Sequence, residues 1–527
     1  MFIFSTPFKL KNIMNLLFIF IIGSALAACG GESENSSSTA NHSPDNSPVA
    51  DFNNELLEGF DPSVYIPQGL EVNHSDRVRI SVEVEGFNQG GEAILIGYVG
   101  ENRYRAAEAP IDEQGRFVFE NDEPFREGVY VVALPNNQGF QLVLVEGQMD
   151  ISLKTTNRRL IENMEVLNNN LENELHFAIA QYERKNRAQI DSVNRIMNRL
   201  EEDTEEHTEQ ENARLKLAAE RRAVINSLDH YYPGSLYASF KIAGQNPEVR
   251  RDLVQEDGSP DPRKQAYHFR NEFWDSVDFS DERLMNTPVI INMTRRYMDE
   301  LVPQNADSIT KYASLLVDQT LDHPTFFQFF ANWITNNFDA KNTTIMDPQA
   351  VFVHMIQNYF TYDRAFWSDS ANIYGLQQRA KEMEKSLVGH PAPDVRANGP
   401  DGKPYSIYEI EADYIIVYMY NPTCEHCMKE TPLLVEWYRE WKPKSAEVFA
   451  IVLDTDHKEW TDYIRKNNMD WINVFDPTNR AIYGKYYVDI TPEIYVINPD
   501  RKIIGKNLKT FQIETIINRD KERRGAS

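Results

Sequence analysis

A chain of 527 residues with a formal charge of −26 has room for three or four domains. It is too acidic to seek nucleic acid or an anionic membrane surface, and its 25% charged residues suit a well-solvated body. Three cysteines in all are too few for a disulfide-stapled scaffold.

Lys9 and Lys11 precede an apolar run from Ile13 to Leu26, which ends in Leu26-Ala27-Ala28-Cys29. A basic start, a short apolar stretch and small residues before a cleavage point read as a secretory signal over residues 1–28, too short for a comfortable membrane span. With Cys29 after the small pair, the segment resembles a bacterial lipoprotein signal. That resemblance implies cleavage before Cys29 and its lipidation, which would hold the protein on a membrane. Gly30 is not the Asp that retains such proteins at the inner membrane, so the outer membrane is the expected destination, facing either the periplasm or the surface. Residues 29–55, rich in Gly, Ser, Asn and Pro, read as a flexible tether; about twenty such residues reach roughly 25 Å.

From residue 75 to 156 the period is two. Val78, Ile80, Val82 and Val84 alternate with polar residues, and further short apolar runs follow between Gly-marked turns. The expected structure is an antiparallel β-sandwich of six to eight strands, with a hairpin around Gln114-Gly115. It holds no catalytic constellation and reads as a scaffold or docking module.

Residues 160–385 form the expected α-helical domain. Leu175, Ile179, Tyr182, Ile190, Val193, Ile196, Met197 and Leu200 recur at steps of three and four within a charged sequence that predicts a long solvated hairpin, broken at Tyr231–Ser235. Further helices are predicted over 308–321, 325–337 and 373–387. The aromatics Phe326, Phe327, Phe329, Phe330, Trp333, Tyr359, Phe360, Tyr362, Phe366 and Trp367 read as core rather than as a ligand groove. His323, His354 and His390 stand alone, without metal-ligand spacing, and no phosphate loop or nucleophile elbow occurs; no cofactor and no metal are expected.

The most informative residues come last. Tyr414–Tyr420 reads as a buried strand, Asn421-Pro422-Thr423 as a turn, and Cys427 to Trp441 as a helix, with Cys424-Glu425-His426-Cys427 at its start. Two thiols one helical turn apart close a disulfide, and a helix N-terminus favours the thiolate that begins exchange. If Cys29 carries lipid, these are the only free thiols left.

Residues 389–527 resemble the TlpA/ResA branch of the thioredoxin superfamily through His390-Pro391-Ala392-Pro393, the turn at Asp401-Gly402, the central strand, the dithiol, Glu430-Thr431-Pro432 and Tyr487-Val488-Asp489-Ile490-Thr491-Pro492. The resemblance implies an α/β thioredoxin-like fold with a four- or five-stranded sheet. It also implies that Pro492 is a cis-proline, that Thr491 presents its backbone to a substrate cysteine, and that both keep metal from the thiols. Cys424 would be the nucleophile and Cys427 the resolving thiol, exchanging with protein thiols and disulfides of the envelope and with an upstream electron donor or acceptor. Protonated His426 would favour the Cys424 thiolate, while Glu425 would oppose it. Thioredoxin's buried Asp, six residues before the first Cys, is here Tyr418, so Glu425 or another group would have to move the proton. A peroxidase of the peroxiredoxin type places a Thr two positions clear of its attacking Cys, whereas Thr423 abuts Cys424. A copper chaperone built on the two thiols and a histidine is a second alternative. A partner- or ligand-binding lipoprotein whose thioredoxin-like domain is inert is the third.

Overall fold

The computed structural model describes residues 56–525, apart from 73, 203, 251, 340, 479–483 and 489. The signal segment, Cys29, the whole tether and Asp489 lie outside the described residues.

Eight strands open the described chain: β1 Ser75–Glu85, β2 Glu92–Val99, β3 Asn102–Pro110, β4 Arg116–Asn121, β5 Gly128–Ala133, β6 Gly139–Leu144, β7 Gln148–Thr156 and β8 Glu165–Val166. They form two four-stranded sheets, ordered β4-β1-β7-β8 and β3-β2-β5-β6. Their alternating residues meet in one core, where Ile80, Val82 and Phe119 of one sheet join Leu95, Val132 and Leu142 of the other. Two features differ from the sequence expectation. The segment is mixed rather than wholly antiparallel, because β7 runs parallel to β1, with Ile80 opposite Ile151 and Val82 opposite Leu153. The chain between them passes through the second sheet, which supplies the long crossover that a parallel neighbour needs. The turn at 112–115 is also not a hairpin. β3 pairs with β2 and β4 with β1, so the chain changes sheets there and sets Phe117 and Phe119 opposite Val82 and Ile80. Gly115 makes this corner at φ +78°, where a Cβ would strike the Val84 carbonyl.

Helices α1 Leu171–Met197 and α2 Glu205–Tyr231 form the charged hairpin, capped by the side chains of Asn170 and Thr204. Only its base is buried: Leu175, Ile179, Val224, Ile225 and Leu228 pack with Val129 and Val143 of the second sheet. Asn173 fixes the junction by bonding both the N–H and the carbonyl of Val143, at 3.0 and 2.8 Å. Then follow α3 Leu236–Ala243, α4 Pro262–Asn271, α5 Pro288–Arg295, α6 Ala306–Asp318, α7 Pro324–Asn337, α8 Pro348–Tyr359 and α9 Ser370–Met383. Helix α8 escapes the sequence reading because it is apolar on most sides and shows no clean stripe. Phe326, Phe327, Phe330, Trp333, Tyr359 and Phe360 lie in the core of this region, whereas Tyr362 and Phe366 are 63% and 61% exposed.

The last region contains β9 Arg396–Asn398, β10 Pro404–Ser406, β11 Tyr414–Tyr420, α10 Glu425–Trp441, β12 Ala446–Val452, α11 His457–Asn467, β13 Ile472–Phe475, β14 Glu493–Ile497, β15 Ile503–Gly505 and α12 Thr510–Gly525. Its sheet runs β10-β9-β13-β12-β11-β14-β15, seven strands rather than the four or five expected, because the short β9–β10 hairpin extends one edge. Central β11 is parallel to β12 and antiparallel to β14. All seven of its residues are buried, as a strand covered on both faces requires. The three regions pack into a single unit.

Candidate active site

The dithiol sits where central strand β11 hands over to helix α10. Asn421 shapes the turn: its Oδ1 accepts from Thr423 N–H at 2.8 Å and from the Thr423 hydroxyl at 2.7 Å, and its carbonyl accepts from Cys424 N–H at 3.2 Å. Cys424 is the N-cap of α10, in extended backbone, so its sulfur stands at the positive end of the helix. It is partly exposed, while Cys427, one turn further on, is 0% exposed.

Across from the thiols, the Thr491–Pro492 peptide bond is cis, and the Thr491 carbonyl accepts the Cys424 S–H at 3.3 Å. Burial works against ionisation of Cys424, but it is outweighed by hydrogen bonds with the Thr491 side chain, with the Cys427 thiol and from the backbone N–H groups of Cys427 and His426. The thiol therefore titrates below its ordinary value. Burial acts the other way on Cys427. The Asn421 N–H at 3.5 Å and the Thr491 side chain favour its thiolate but do not offset burial, and Cys427 is pushed up to about 12. The pair is thus split into one reactive and one retained thiol.

Glu425 and His426 point their side chains to solvent in the first helical turn; His426 acts on Cys424 through its backbone N–H. Position 418, where a carboxylate was expected to be missing, opens a cluster that the sequence did not reveal. The Thr431 hydroxyl donates to the Cys427 carbonyl at 2.8 Å, so the hydroxyls of Tyr418 at 2.7 Å and Tyr463 at 2.9 Å both donate to Thr431. This network holds Cys427 from behind with hydroxyls alone. Glu430 is spent elsewhere: its buried carboxylate accepts the Thr510 N–H at 2.7 Å and ties α10 to the start of α12. The only signal for Thr431 was its place four residues after Cys427, on the same helix face.

Comparison with known proteins places this region. Residues 388–506 match the AhpC/TSA family. Curated relatives over the same region are thiol-disulfide oxidoreductases named ResA. The one from Bacillus cereus is 23% identical over 125 residues, covering 24% of this chain and 72% of that protein. The one from Bacillus anthracis is 27% identical over 127 residues, covering 23% of this chain and 70% of the relative. The C-terminal region is a TlpA/ResA-like thioredoxin domain. Among solved structures, a domain of a possible thiol-disulfide isomerase from Cytophaga hutchinsonii is 26% identical, covering 27% of this chain and 97% of its own, with a TM-score of 0.26. A thioredoxin-like protein from Bacteroides caccae is 19% identical, covering 52% of this chain and 97% of its own, with a TM-score of 0.43. Among the described residues of the whole chain, no group of three or more His, Cys, Asp and Glu side chains is placed to hold a metal ion.

The buried thiol of this thioredoxin-like domain has a measurable consequence. An unfolded Cys titrates near about 8.5. Between that pH and about 12 the unfolded chain gives up a proton that folded Cys427 keeps. The stability contributed by neutral Cys427 is whole below pH ~8.5 and is lost as pH rises toward its folded value. We expect reduced Cys424→Ser to lose ~2 kcal/mol more between pH 7.5 and 10 than Cys424→Ser/Cys427→Ser, from urea midpoints. Equal pH slopes in the two proteins would show that Cys427 ionises inside the fold.

Proposed function

We propose that the protein is a lipid-anchored thiol–disulfide oxidoreductase of the bacterial cell envelope, exchanging disulfides with exported proteins through Cys424 and Cys427. What carries this reading is the division of labour between the thiols: Cys424 is partly exposed, favoured as a thiolate and faced by Thr491, while Cys427 is buried one turn behind it. In the reducing direction the Cys424 thiolate attacks a substrate disulfide. A mixed disulfide forms and one substrate sulfur leaves, taking up a proton. Cys427 then loses its proton and attacks the Cys424 sulfur. The Cys424–Cys427 disulfide closes, the second substrate thiol is released, and two electrons have passed to the substrate. The reverse sequence oxidises a substrate dithiol. A second dithiol or disulfide protein of the envelope must reset the pair.

The anchoring half of the proposal rests on Leu26-Ala27-Ala28-Cys29, and the spacer on residues 29–55. A two-sheet β domain over 75–156 and a helical domain over 160–385 then serve as the scaffold that carries the redox domain above the outer membrane.

The deciding experiment is a titration of the Cys424–Cys427 pair against glutathione or dithiothreitol, read by alkylation mass shift. A midpoint near about −270 mV or lower assigns a reductant; one around −120 to −180 mV assigns an oxidase or isomerase. A chain that forms no disulfide at any poise would end the redox reading and leave a binding scaffold.

A further inference from the structure

Thr491 reaches Cys424 at the end of a strap, and that strap is gripped from the far side by the helical region. The buried Ser386 hydroxyl, just beyond α9, donates to the Tyr486 carbonyl at 2.8 Å. Beside it, Lys385 Nζ donates to the Gly484 carbonyl at 3.2 Å. The Tyr487 ring packs on the core of the helical region, and the Arg379 guanidinium lies 5.7 Å from its centroid and 4.7 Å from that of Phe352 on α8. Tyr487 itself sits at φ +49°, a left-handed conformation that a bulky residue adopts only where its surroundings hold it. From the redox domain, Tyr486 donates to the Pro393 carbonyl at 2.8 Å, and Tyr495 donates to the Tyr486 carbonyl at 3.2 Å. Lys385, Ser386 and Arg379 of the helical region thus meet Gly484, Tyr486 and Tyr487 of the strap, a few residues before Thr491.

We propose that the helical region is a positioning element of the dithiol site, with Ser386 and the aromatic seat of Tyr487 holding the strap so that Thr491 stands over Cys424. Ordinary domain packing would bury apolar faces against each other. Here two side chains of the helical region end on backbone carbonyls of one loop, and the Tyr487 ring of that loop packs against the helical core. Such support matters because a small displacement of a group that stabilises a nucleophile is enough to change its reactivity. A partner that bound the helical region would have a physical route to the reactivity of Cys424.

This role presupposes the oxidoreductase reading for its consequence, but its test does not. The full chain is reduced, and alkylation of Cys424 by iodoacetamide is followed against pH by site-resolved mass shift. Ser386→Ala, Tyr487→Ala and Tyr487→Phe are compared with the wild type and with Tyr374→Ala, an exposed residue of α9. In Tyr487→Ala we expect the midpoint to rise by about half a unit and alkylation at pH 7 to slow about threefold. Ser386→Ala should move the same way by less, and Tyr487→Phe and Tyr374→Ala should keep the wild-type profile. Unchanged profiles in both Ser386→Ala and Tyr487→Ala would reduce the contact to packing. If Tyr487→Ala does not fold, Ser386→Ala decides alone. Insulin reduction by the same samples keeps the two questions apart, since a wild type that does not reduce insulin sinks the oxidoreductase reading and leaves the alkylation result standing.

Discussion

Cys427→Ser should accumulate mixed disulfides between Cys424 and partner proteins, and Cys424→Ser should accumulate none. The expectation follows from the geometry at the start of α10. Cys424 has the exposure and the stabilised thiolate needed to attack, whereas Cys427 is sealed behind it and can reach only the Cys424 sulfur. Removing the buried thiol leaves the first step intact and stops the second, so the covalent intermediate has no internal route to resolution. Insulin reduction should fall to the uncatalysed rate in both variants. Adducts are read as high-mass bands that collapse on adding dithiothreitol, from cells carrying the full chain. If Cys424→Ser trapped as much as Cys427→Ser, the assignment of attacking and resolving thiols would be wrong.

Asp347→Asn should destabilise the fold by about 3–5 kcal/mol, the loss typical of a buried charge deprived of its partner. Asp347 precedes α8, and Lys506 follows the edge strand β15. Their charged groups lie 3.5 Å apart with side chains 3% and 1% exposed. Asp347 Oδ2 also accepts the Val388 N–H at 2.7 Å, and Lys506 lies 5.1 Å from the Tyr495 ring centroid. Asparagine keeps the shape and tolerates the φ of +57° found there, so the substitution removes charge and little else. Lys506 is then left buried without the carboxylate it pairs with. Adding Lys506→Met should recover much of the loss, because a methionine of similar length needs no partner. Urea unfolding of the three proteins checks this; a single-variant cost under ~1 kcal/mol would mean that water reaches the pair.

Much of the redox site was legible in the sequence because its signals are local. A continuous apolar run predicts a strand covered on both faces, and β11 is that strand. The Asn-Pro-Thr turn followed by two cysteines predicts thiols at a helix start, and Cys424 is the N-cap of α10. The period of two across 75–156 and the three- and four-residue apolar steps from Leu175 to Leu200 likewise announced their elements. Glu425 and His426 were legible as neighbours of the thiols, but not as side chains that face solvent.

What the sequence by itself determined, then, is the kind of most long elements and the chemistry of the dithiol, since both are written in residues that are near neighbours along the chain. The tertiary structure alone decided the parallel pairing of β1 with β7 and the change of sheets at Gly115. It also decided the hydroxyl cluster of Tyr418, Thr431 and Tyr463, the buried Asp347–Lys506 pair, and the grip of Ser386 on Tyr486. Each of these joins groups that lie apart in the chain. A hydroxyl or a carboxylate has no period that names its partner: it takes whichever donor or acceptor the packed backbone leaves within about 3 Å, and that is settled only when the cores close.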